Sequence, residues 1–550
     1  MIFYPKLLTT LKNYSKEKFV SDFFAGIIVG IVAIPLGIAF AIASGVSPEK
    51  GLLTVIIAGF LISLLGGSRV QIGGPTGAFI VVVYGVVQHY GVNGLIIATI
   101  LAGVLLVIMG IAGLGAAIKF IPYPVIVGFT SGIAVIIFSS QVKDFLGLEI
   151  GSVPVEFLEK WRQLFTHLNS INLYSFIISA ATVVMIVYWP KISRKVPGSL
   201  VALILSSLAV HFFHLPVETI GSKFGELPHS LPMPHFPELN IQTIRQLIQP
   251  AFTIALLCGI ESLLSAVVSD GMIGGRHRSN TELIAQGVAN IFSGAFGGIP
   301  ATGALARTVT NIKNGGKTPV AGIVHALTVL TIVLFFGKYA KLIPLASLAG
   351  ILTVVAYNMS EWRSFLEELR GLRGSVVVLL VTFFLTVLVD LTAAIEVGVV
   401  LSVFIFMHRM SKISTVRIFE NEMEEEAIDR RSAKEKIRIP EGIEVYEISG
   451  PFFFGASHKF EEAVREVAKK PKVRIVKLGN VPIMDSTGLQ SFREFYNRSR
   501  HDKIKLLVVG IQDQPLVALK KSGLYDEIGK DAFSPDVNEA LKHARSLLAS

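Results

Sequence analysis

Long apolar runs, interrupted by glycine and proline, recur along most of the chain, from Phe23 to Met407. Since a helix needs about 20 mainly apolar residues to cross a bilayer, this pattern predicts many membrane-spanning helices. Several of the runs are too short to cross alone. The pattern gives about fourteen segments, at residues 22–44, 51–66, 75–90, 92–113, 121–141, 171–189, 197–215, 250–270, 283–298, 301–313, 319–336, 343–357, 375–390 and 392–408.

The apolar pattern ends after Met407, and residues 408–438 are polar, with an acidic run at 420–426, which predicts a solvated linker. Beyond it, strand-like runs at 445–449, 473–478 and 505–509 alternate with helix-like segments at 456–469, 486–500 and 515–522, which predicts a small α/β domain. The predicted organisation is a cytoplasmic N-terminal segment at 1–20, a transmembrane transport domain at 21–410, a linker at 411–437 and a cytoplasmic α/β domain at 438–550.

Composition supports a membrane protein, because 52% of the 550 residues are hydrophobic and only 16% are charged. The formal net charge of +10 could indicate nucleic-acid binding, but the basic residues are scattered through loops, so no nucleic-acid partner is expected. The single cysteine, Cys258, lies in an apolar run and allows no intramolecular disulfide. We expect neither a cofactor nor a resident metal.

The N-terminal residues carry lysines without the apolar core of a cleavable signal, so we expect the N-terminus to stay inside the cell. An even number of spans then places the C-terminus inside as well, which predicts a multi-pass protein of the inner membrane. The expected inner loops hold Lys119, Lys191, Arg194, Lys195, Arg276, Arg278, Lys313, Lys317, Arg363, Arg370 and Arg373. Lys143, Lys160, Arg162, Lys338 and Lys341 fall outside.

Two similar sequences break the predicted helices, GGPTGA at 73–78 and GGIPATGA at 297–304. Each has a glycine pair, a proline and then Thr-Gly-Ala at the start of a short segment, in the third segment of a seven-segment half. Paired breaks of this kind indicate the binding site of an inverted-repeat transporter. Ordinary packing kinks are the alternative, although kinks need not recur with the same flanking residues.

A broken helix favours an anion at this depth, because its first N–H groups are unpaired and its dipole is positive there. Thr76 and Thr302 would add hydroxyl donors, and the neighbouring glycines would let a ligand approach the backbone. Arg307 follows in the second short segment and would reinforce the positive field. Alternatively, Arg307 snorkels to an interface or pairs with a carboxylate.

Glu261 is the one acid in the apolar run at 251–268 and lies near its middle. Ser265 is one turn further on the same face, so the pair could carry a proton or help to ligate Na⁺. A purely structural role is the alternative. Phe40 could supply an apolar wall, although such a residue is more often packing. Acids near span ends are expected to cap helices or lie at interfaces; they are Asp22, Asp270, Asp390 and Glu396.

These residues resemble the SulP family of anion transporters over nearly the whole chain. The shared motifs are DFFAG at 22–26, GGPTGA at 73–78, GIESLLS at 259–265 and PATGALART at 300–308. Within this family the resemblance is greatest to the aerobic C4-dicarboxylate transporters, through GFTSG at 128–132, KDFLG at 143–147, DGM at 270–272 and NMSE at 358–361.

The resemblance implies a helical membrane domain with a seven-plus-seven inverted repeat, core and gate subdomains, elevator-like movement and a homodimer. It implies an anion bound by Phe40, Thr76, Gly77, Ala78, Ala301, Thr302, Gly303 and Arg307. Sodium-coupled bicarbonate members have Asp where this chain has Glu261, which favours H⁺ symport. The expected substrate is sulfate, bicarbonate or a C4-dicarboxylate such as succinate. The alternatives are a Na⁺-coupled bicarbonate symporter and an uncoupled channel or exchanger.

The C-terminal segment resembles the STAS domain, with the signature MDSTGL at 484–489. Ser486 and Thr487 are regulatory candidates, because a residue of this loop is phosphorylated in the antagonist branch of that family. We favour a simpler role, in which Asp485 or Ser486 caps the following helix. The resemblance suggests that this domain regulates transport or docks a partner such as acyl carrier protein. No nucleophile with its base is visible, so an enzyme is not expected.

Overall fold

The computed structural model describes residues 3–116, 122–151, 153–154, 156–193, 196–225, 232–234, 240–389, 391–419, 422–425, 435–466 and 471–549. Lys119, Arg194, Lys195 and Asp390, which were assigned to loops or span ends above, lie outside these residues, as does part of the acidic run at 420–426. The chain divides into two compact units, Met1–Ser402 and Val403–Ser550, and each is described by itself.

The first unit is helical except for two very short strands, β1 Gly73–Gly74 and β2 Thr302–Gly303, within the described residues. Its helices are α1 Lys6–Thr10, α2 Lys16–Ala43, α3 Pro48–Leu65, α4 Phe79–Ile111, α5 Tyr123–Leu146, α6 Phe157–Thr166, α7 Leu173–Tyr188, α8 Gly198–Phe213, α9 Ile220–Phe224, α10 Ile241–Ile273, α11 Ser279–Ala295, α12 Leu305–Lys313, α13 Val320–Phe336, α14 Leu345–Met359, α15 Trp362–Leu369, α16 Arg373–Leu388 and α17 Leu391–Ile413.

Every predicted apolar segment corresponds to one of these helices, which confirms a polytopic membrane domain. Among the described residues, eight helices are long and apolar enough to cross a membrane, and α8 and α16 are shorter apolar helices. The segments at 75–90 and 92–113 are two arms of α4, which breaks at Gly91 where φ is +68°. Glycine adopts this left-handed conformation without steric cost.

Two prolines of the predicted spans do not interrupt their helices. Pro35 lies within the span predicted at 22–44, and α2 continues through it as one helix from Lys16 to Ala43. Pro250 was taken as the start of a span, whereas α10 begins nine residues earlier, at Ile241. The Asn240 side chain caps that start by accepting a hydrogen bond from the Gln242 amide.

Small residues allow close helix packing in the first unit. Gly103 of α4 and Gly287 of α11 face each other so closely that a Cβ added to Gly103 would lie 2.6 Å from the Gly287 carbonyl oxygen. Such close contacts between small residues are typical of helix packing in membranes, where dispersion replaces the hydrophobic effect as the main driving force. The pairing of α4 with α11 therefore brings the two halves of the chain together.

The second unit contains an α/β domain. Its elements are β3 Thr415–Phe419, β4 Glu422–Glu425, β5 Glu435–Arg438, β6 Ile443–Ser449, α18 Phe454–Glu466, β7 Val473–Asn480, α19 Ser486–His501, β8 Lys505–Val509, α20 Asp513–Lys521, α21 Leu524–Ile528, β9 Phe533–Ser534 and α22 Val537–Ala549. The five-stranded sheet has the order β3-β6-β7-β8-β9, with only the β3–β6 pair antiparallel. The predicted strands and helices are all present.

The predicted linker is wrong in one part, because residues 415–419 form strand β3 and pair with β6. Val416 and Ile418 pack on the apolar cluster at one face of the sheet, whereas Phe419 packs on the cluster at the other face. This alternation is short and lies in a polar context, so hydropathy alone did not separate it from a solvated linker. Residues 422–425 and 435–438 form a second antiparallel pair.

Candidate anion site

The two Gly-Pro breaks of the sequence meet in the structure. Strands β1 and β2 pair antiparallel, with Gly73 opposite Gly303 and Gly74 opposite Thr302. The Ala304 amide extends the contact by donating to the Ile72 carbonyl at 2.8 Å. Helix α4 begins shortly after β1 and helix α12 shortly after β2, so two helix N-termini start beside one short ribbon.

Both helix starts leave backbone donors without partners. The amides of Gly77 and Ala78 before α4, and those of Leu305 and Ala306 in α12, have no hydrogen-bond partner among the described residues. Unpaired amides at a helix start, together with the positive end of the helix dipole, form an anion-binding environment. The breaks are therefore more than packing kinks.

Glu261 of α10 lies at the first break. Its Oε2 accepts a hydrogen bond from the Thr76 hydroxyl at 2.7 Å, and both side chains are half-buried. The sequence suggested Ser265 as the partner hydroxyl, but Ser265 is fully buried and donates to Thr308 Oγ1 at 3.3 Å. The pairing of Glu261 with Thr76 joins a residue of the second half of the chain to the break of the first half.

Arg307 of α12 reaches across to the first break. Its Nη2 donates a hydrogen bond to the Pro75 carbonyl oxygen, and the side chain is only 2% exposed, so it does not snorkel to an interface. Its Nη1 is buried without a hydrogen-bond partner among the described residues. Gly74 is needed here because a Cβ at this position would collide with the guanidinium. Arg307 also lies within electrostatic range of Glu261.

The second break is closed by contacts with the protein. Thr302 is fully buried and donates its hydroxyl to the Cys258 carbonyl at 3.0 Å, so the expected hydroxyl donor to a substrate is already occupied. The Ala301 amide and carbonyl both bind the Asn290 side chain, at 2.9 and 2.8 Å. A Cβ on Gly303 would overlap the Gln71 amide. At these three positions the neighbouring protein, rather than a ligand, explains the residue type.

Phe40 lies in the large apolar core of this unit, whereas the residues after Thr76 have apolar neighbours of their own. Phe40 belongs to the same buried apolar cluster as Ala78 and Phe79, which start α4. Gly77 faces Met359, since an added Cβ would lie 2.8 Å from its sulfur. Met359 was not among the predicted site residues, although it lies within the NMSE motif that carried the family resemblance. Met359 and Ile137 thus form an apolar wall beside Gly77, and the predicted role of Phe40 as such a wall stays a prediction.

Sequence reasoning missed a polar stripe on α11. Glu282 accepts hydrogen bonds from the Gly67 and Ser68 amides at 2.7 and 3.0 Å and from the Gln286 side chain at 2.8 Å. With Asn290 these residues recur every four positions and are all fully buried. A polar stripe at helical spacing in a buried span could have been detected. The stripe holds Gly67 and Ser68, which precede the first break, and Ala301 in the second break.

The capping predictions agree with the structure. Asp485 caps α19 by accepting a hydrogen bond from the Gly488 amide at 2.7 Å, while Ser486 and Thr487 are exposed in the first turn. Asp22 is buried and binds the loop before α13, through the Lys317 amide at 2.6 Å and the Thr318 hydroxyl at 2.5 Å. No structural contact assigns a regulatory role to Ser486 or Thr487, which stays a prediction.

Comparison with known proteins identifies the family. A model described as the sulfate permease family matches residues 19–382, and a STAS domain model matches residues 435–540. The chain belongs to the sulfate permease family. It is therefore a multi-pass membrane protein that transports anions, with a C-terminal STAS domain, and not an enzyme.

Two of its relatives match this chain over nearly its full length. It is 45% identical over 524 residues to the putative sulfate transporter YvdB of Bacillus subtilis, covering 95% of this chain and 97% of the relative. It is 31% identical over 538 residues to the bicarbonate transporter BicA of a Picosynechococcus species, covering 95% and 94%. The greater resemblance to C4-dicarboxylate transporters stays a prediction.

Solved structures share the fold. The murine Solute Carrier 26 family member A9 anion transporter in the inward-facing state superposes with a TM-score of 0.87, covering 98% of this chain and 94% of that chain. At 18% identity this similarity concerns the fold alone. The transmembrane domain of a cyanobacterial bicarbonate transporter BicA is 31% identical, with a TM-score of 0.64 over 70% of this chain and 98% of that chain.

Proposed function

We propose that the protein is an H⁺-coupled symporter of a small inorganic oxyanion, with sulfate as the first candidate substrate. The observation that carries this proposal is the pairing of β1 with β2, which ties the start of α4 and the start of α12, each with free amides, to the two ends of one short ribbon. We propose that the anion binds these amides, with Thr76, Gly77 and Ala78 on the first side and Arg307 behind. The names of the relatives support sulfate and bicarbonate as candidates.

The charges around the breaks suggest how a proton and an anion are coupled. Each helix start contributes about half a positive elementary charge, and Arg307 contributes one more. An ionised Glu261 cancels one of these charges and leaves about +1, whereas a protonated Glu261 leaves about +2. A divalent anion such as sulfate is therefore better matched when Glu261 carries a proton, so the two ligands favour each other's binding.

The Thr76 hydroxyl strengthens this coupling because it connects Glu261 to the first helix start. A hydroxyl can donate to a carboxylate and can accept from a protonated carboxyl group, so Thr76 has a partner in both states. Its neighbours Gly77 and Ala78 carry free amides. Protonation of Glu261 would thus change the hydrogen bond of Thr76, which directly precedes the two amides that would bind the anion.

The remaining features of the proposal concern assembly and location. We propose elevator-like movement of a core that contains both breaks, in a homodimer of the inner membrane with both termini in the cytoplasm. The STAS domain would regulate transport or bind a cytoplasmic partner such as acyl carrier protein. These proposals derive from the family resemblance and from the distribution of lysine and arginine in the loops.

Three alternatives differ from this proposal in substrate or in coupling. Na⁺-coupled bicarbonate symport is compatible with the same carboxylate, which could ligate the ion together with Thr76. A C4-dicarboxylate such as succinate also has two negative charges. An uncoupled anion channel or exchanger would use the breaks alone and leave Glu261 in a structural role.

Uptake into proteoliposomes containing the full-length protein distinguishes these alternatives. Labelled sulfate, bicarbonate and succinate are offered separately, each with an imposed pH gradient, with a Na⁺ gradient or with neither. The proposal predicts that sulfate accumulates above its electrochemical equilibrium only with the pH gradient. Accumulation driven by Na⁺ would contradict H⁺ coupling, and relaxation to equilibrium under every condition would indicate a channel.

Glu261→Gln tests the coupling residue. The amide can still accept the Thr76 hydrogen bond but cannot exchange a proton, so we expect sulfate exchange to persist while pH-driven accumulation falls by at least about tenfold. Glu396→Gln is the control, since Glu396 is an exposed acid of α17. Normal pH-driven accumulation in Glu261→Gln would remove this residue from the coupling mechanism.

A further inference from the structure

A polar cavity lies in the first unit, beside the first turns of α4 and outside the first break. Its volume is about 290 Å³, and it is located where α2 and α5 end, next to the second turn of α4. It is thus on the membrane face opposite the one where α2 begins. The lining residues used here are Ile80, Tyr84, Lys143, Asp144, Lys160 and Lys223.

Lys160 is the unusual member of this lining. It lies on the amphipathic helix α6, where the turn beyond it anchors the helix through the buried Leu164. Lys160 is only 4% exposed, yet its side-chain Nζ has no hydrogen bond or ion pair within the described part of the chain. Burial lowers its pKa to about 8, so it is still mostly charged at neutral pH. The Lys160 Nζ is not among the fully buried polar atoms, and Lys160 lines the cavity, so its ammonium is available to a negative ligand there.

The other charges of the cavity have the same sign, with one exception. Lys143 donates hydrogen bonds to the Ile150 and Gly151 carbonyls, so its charge is fixed at the wall of the cavity. Lys223 is exposed at the rim, and Asp144 is the one acid in the lining. Three lysines and one aspartate give a formal charge of +2. This charge matches a divalent anion.

The floor of the cavity connects it to the first break. Ile80 lines the cavity and follows Phe79, the first residue of α4. Ile136 also lines it, and the neighbouring Ile137 packs against Gly77, where an added Cβ would lie 3.1 Å from its Cδ1. Apolar side chains thus separate the cavity from the free amides of Gly77 and Ala78 by about one helical turn. A movement of this layer would join the two sites.

We propose that this cavity recruits the transported dianion from the membrane face opposite the N-terminal end of α2, with Lys160 as its main ligand. The proposal rests on the proposed function, since only a transporter of small anions needs such a site one turn above the helix starts. A cationic cavity with apolar walls concentrates anions and raises their rate of entry. Asp144 would weaken the attraction between the lysines and the anion, so that the anion can leave the cavity for the helix starts.

The test is sulfate transport by the full-length protein in proteoliposomes with a defined orientation. Lys160→Gln removes the charge, and Arg162→Gln is the matched control, because Arg162 is on the same helix, is exposed and contacts only Glu159 at 3.8 Å. We expect Lys160→Gln to raise the KM for sulfate from the cavity face by about tenfold, because the variant loses one charge-assisted hydrogen bond to the anion. We expect less than about twofold for Arg162→Gln.

Additional variants separate binding from a structural effect. Lys160→Arg should keep the KM near the wild-type value, and Asp144→Asn should lower it, because the repulsive charge is removed. The KM measured from the opposite face and the kcat should not change in any of these variants. A similar KM change from both faces, or the same change in Arg162→Gln, would overturn the recruitment site.

The outcome also distinguishes this inference from the proposed function. If the wild-type protein transports sulfate, and Lys160→Gln shows the wild-type KM from both faces, the recruitment site is wrong and the proposed function stands. If the wild-type protein transports none of sulfate, bicarbonate and succinate, the proposed function is wrong and the recruitment site falls with it.

Discussion

The two Gly-Pro breaks are nearly the same in sequence but differ in how their residues are used. At the first break, Thr76 is half-buried, its hydroxyl contacts Glu261, and the amides that follow are free. At the second break, Thr302 is fully buried with its hydroxyl on the Cys258 carbonyl, and Asn290 binds both polar groups of the Ala301 backbone. We call the first the open break, because its threonine is half-buried on Glu261, and the second the anchored break, because Ala301 and Thr302 are held by the protein; free amides follow at both.

This difference suggests that the two breaks have different roles. The anchored break positions α12 and Arg307, and the open break presents the groups that a substrate and a proton can reach. Similar motifs therefore do not imply the same role, because the two breaks pack against residues from different helices. α10 and α11 contact the second break, whereas α3, α5 and α14 supply the apolar neighbours of the first.

The largest effect is expected from Asn290→Ala at the anchored break. The variant leaves the buried amide of Ala301 without a partner and its carbonyl with only the Cys258 thiol at 3.2 Å, which should cost about 2–3 kcal/mol. We expect a lower melting temperature in detergent and loss of sulfate transport. Asn314→Ala is the matched control, since the Asn314 side chain donates only to the Thr310 carbonyl one turn earlier. Wild-type stability of Asn290→Ala would contradict the view of this break as an anchor.

A smaller effect should distinguish the two threonines directly. Thr76→Val and Thr302→Val remove the same hydroxyl group from matching positions. We expect Thr76→Val to reduce pH-driven sulfate uptake by about fivefold with normal stability, because it disconnects Glu261. Thr302→Val should instead cost about 1 kcal/mol of stability and leave the KM unchanged. Uptake and melting temperature measured on both variants check this, and equal behaviour would remove the distinction between the breaks.

The smallest effect concerns pH and the cavity above the open break. Because the pKa of Lys160 is lowered to about 8, its charge is present below this pH and is lost as the pH rises through it. The KM for sulfate from the cavity face should rise about threefold between pH 7 and pH 9. The other charged and titratable groups at or near the cavity are Lys143, Lys223, Asp144, Glu218 and Tyr84.

A comparison with Lys160→Arg isolates this pH effect from the proton coupling at Glu261. The guanidinium stays charged up to pH 9, so the variant should lose the rise in KM while keeping pH-driven accumulation. The KM is measured from the cavity face at both pH values, with the pH on the other face held constant. The same rise in Lys160→Arg would mean that another group is responsible.

Features that depend on neighbouring residues in the chain could be predicted from the sequence. The apolar runs, the two breaks with their helix starts and the alternating strands of the STAS domain are local patterns, and each appears in the structure at nearly the predicted residues. The capping role of Asp485 is local too, since a cap and the amide that it binds are three residues apart. The polar stripe on α11 was also readable, although it was overlooked.

Only the tertiary structure decided which groups contact each other across the chain. Glu261 contacts Thr76 rather than Ser265, although Ser265 is one turn away, because the packing of α10 brings the first break to the carboxylate. Arg307 binds the Pro75 carbonyl for the same reason. A sequence records which polar groups must find partners in the membrane, but partners far apart in the chain are chosen by helix packing. The open and the anchored break became distinguishable only at that level.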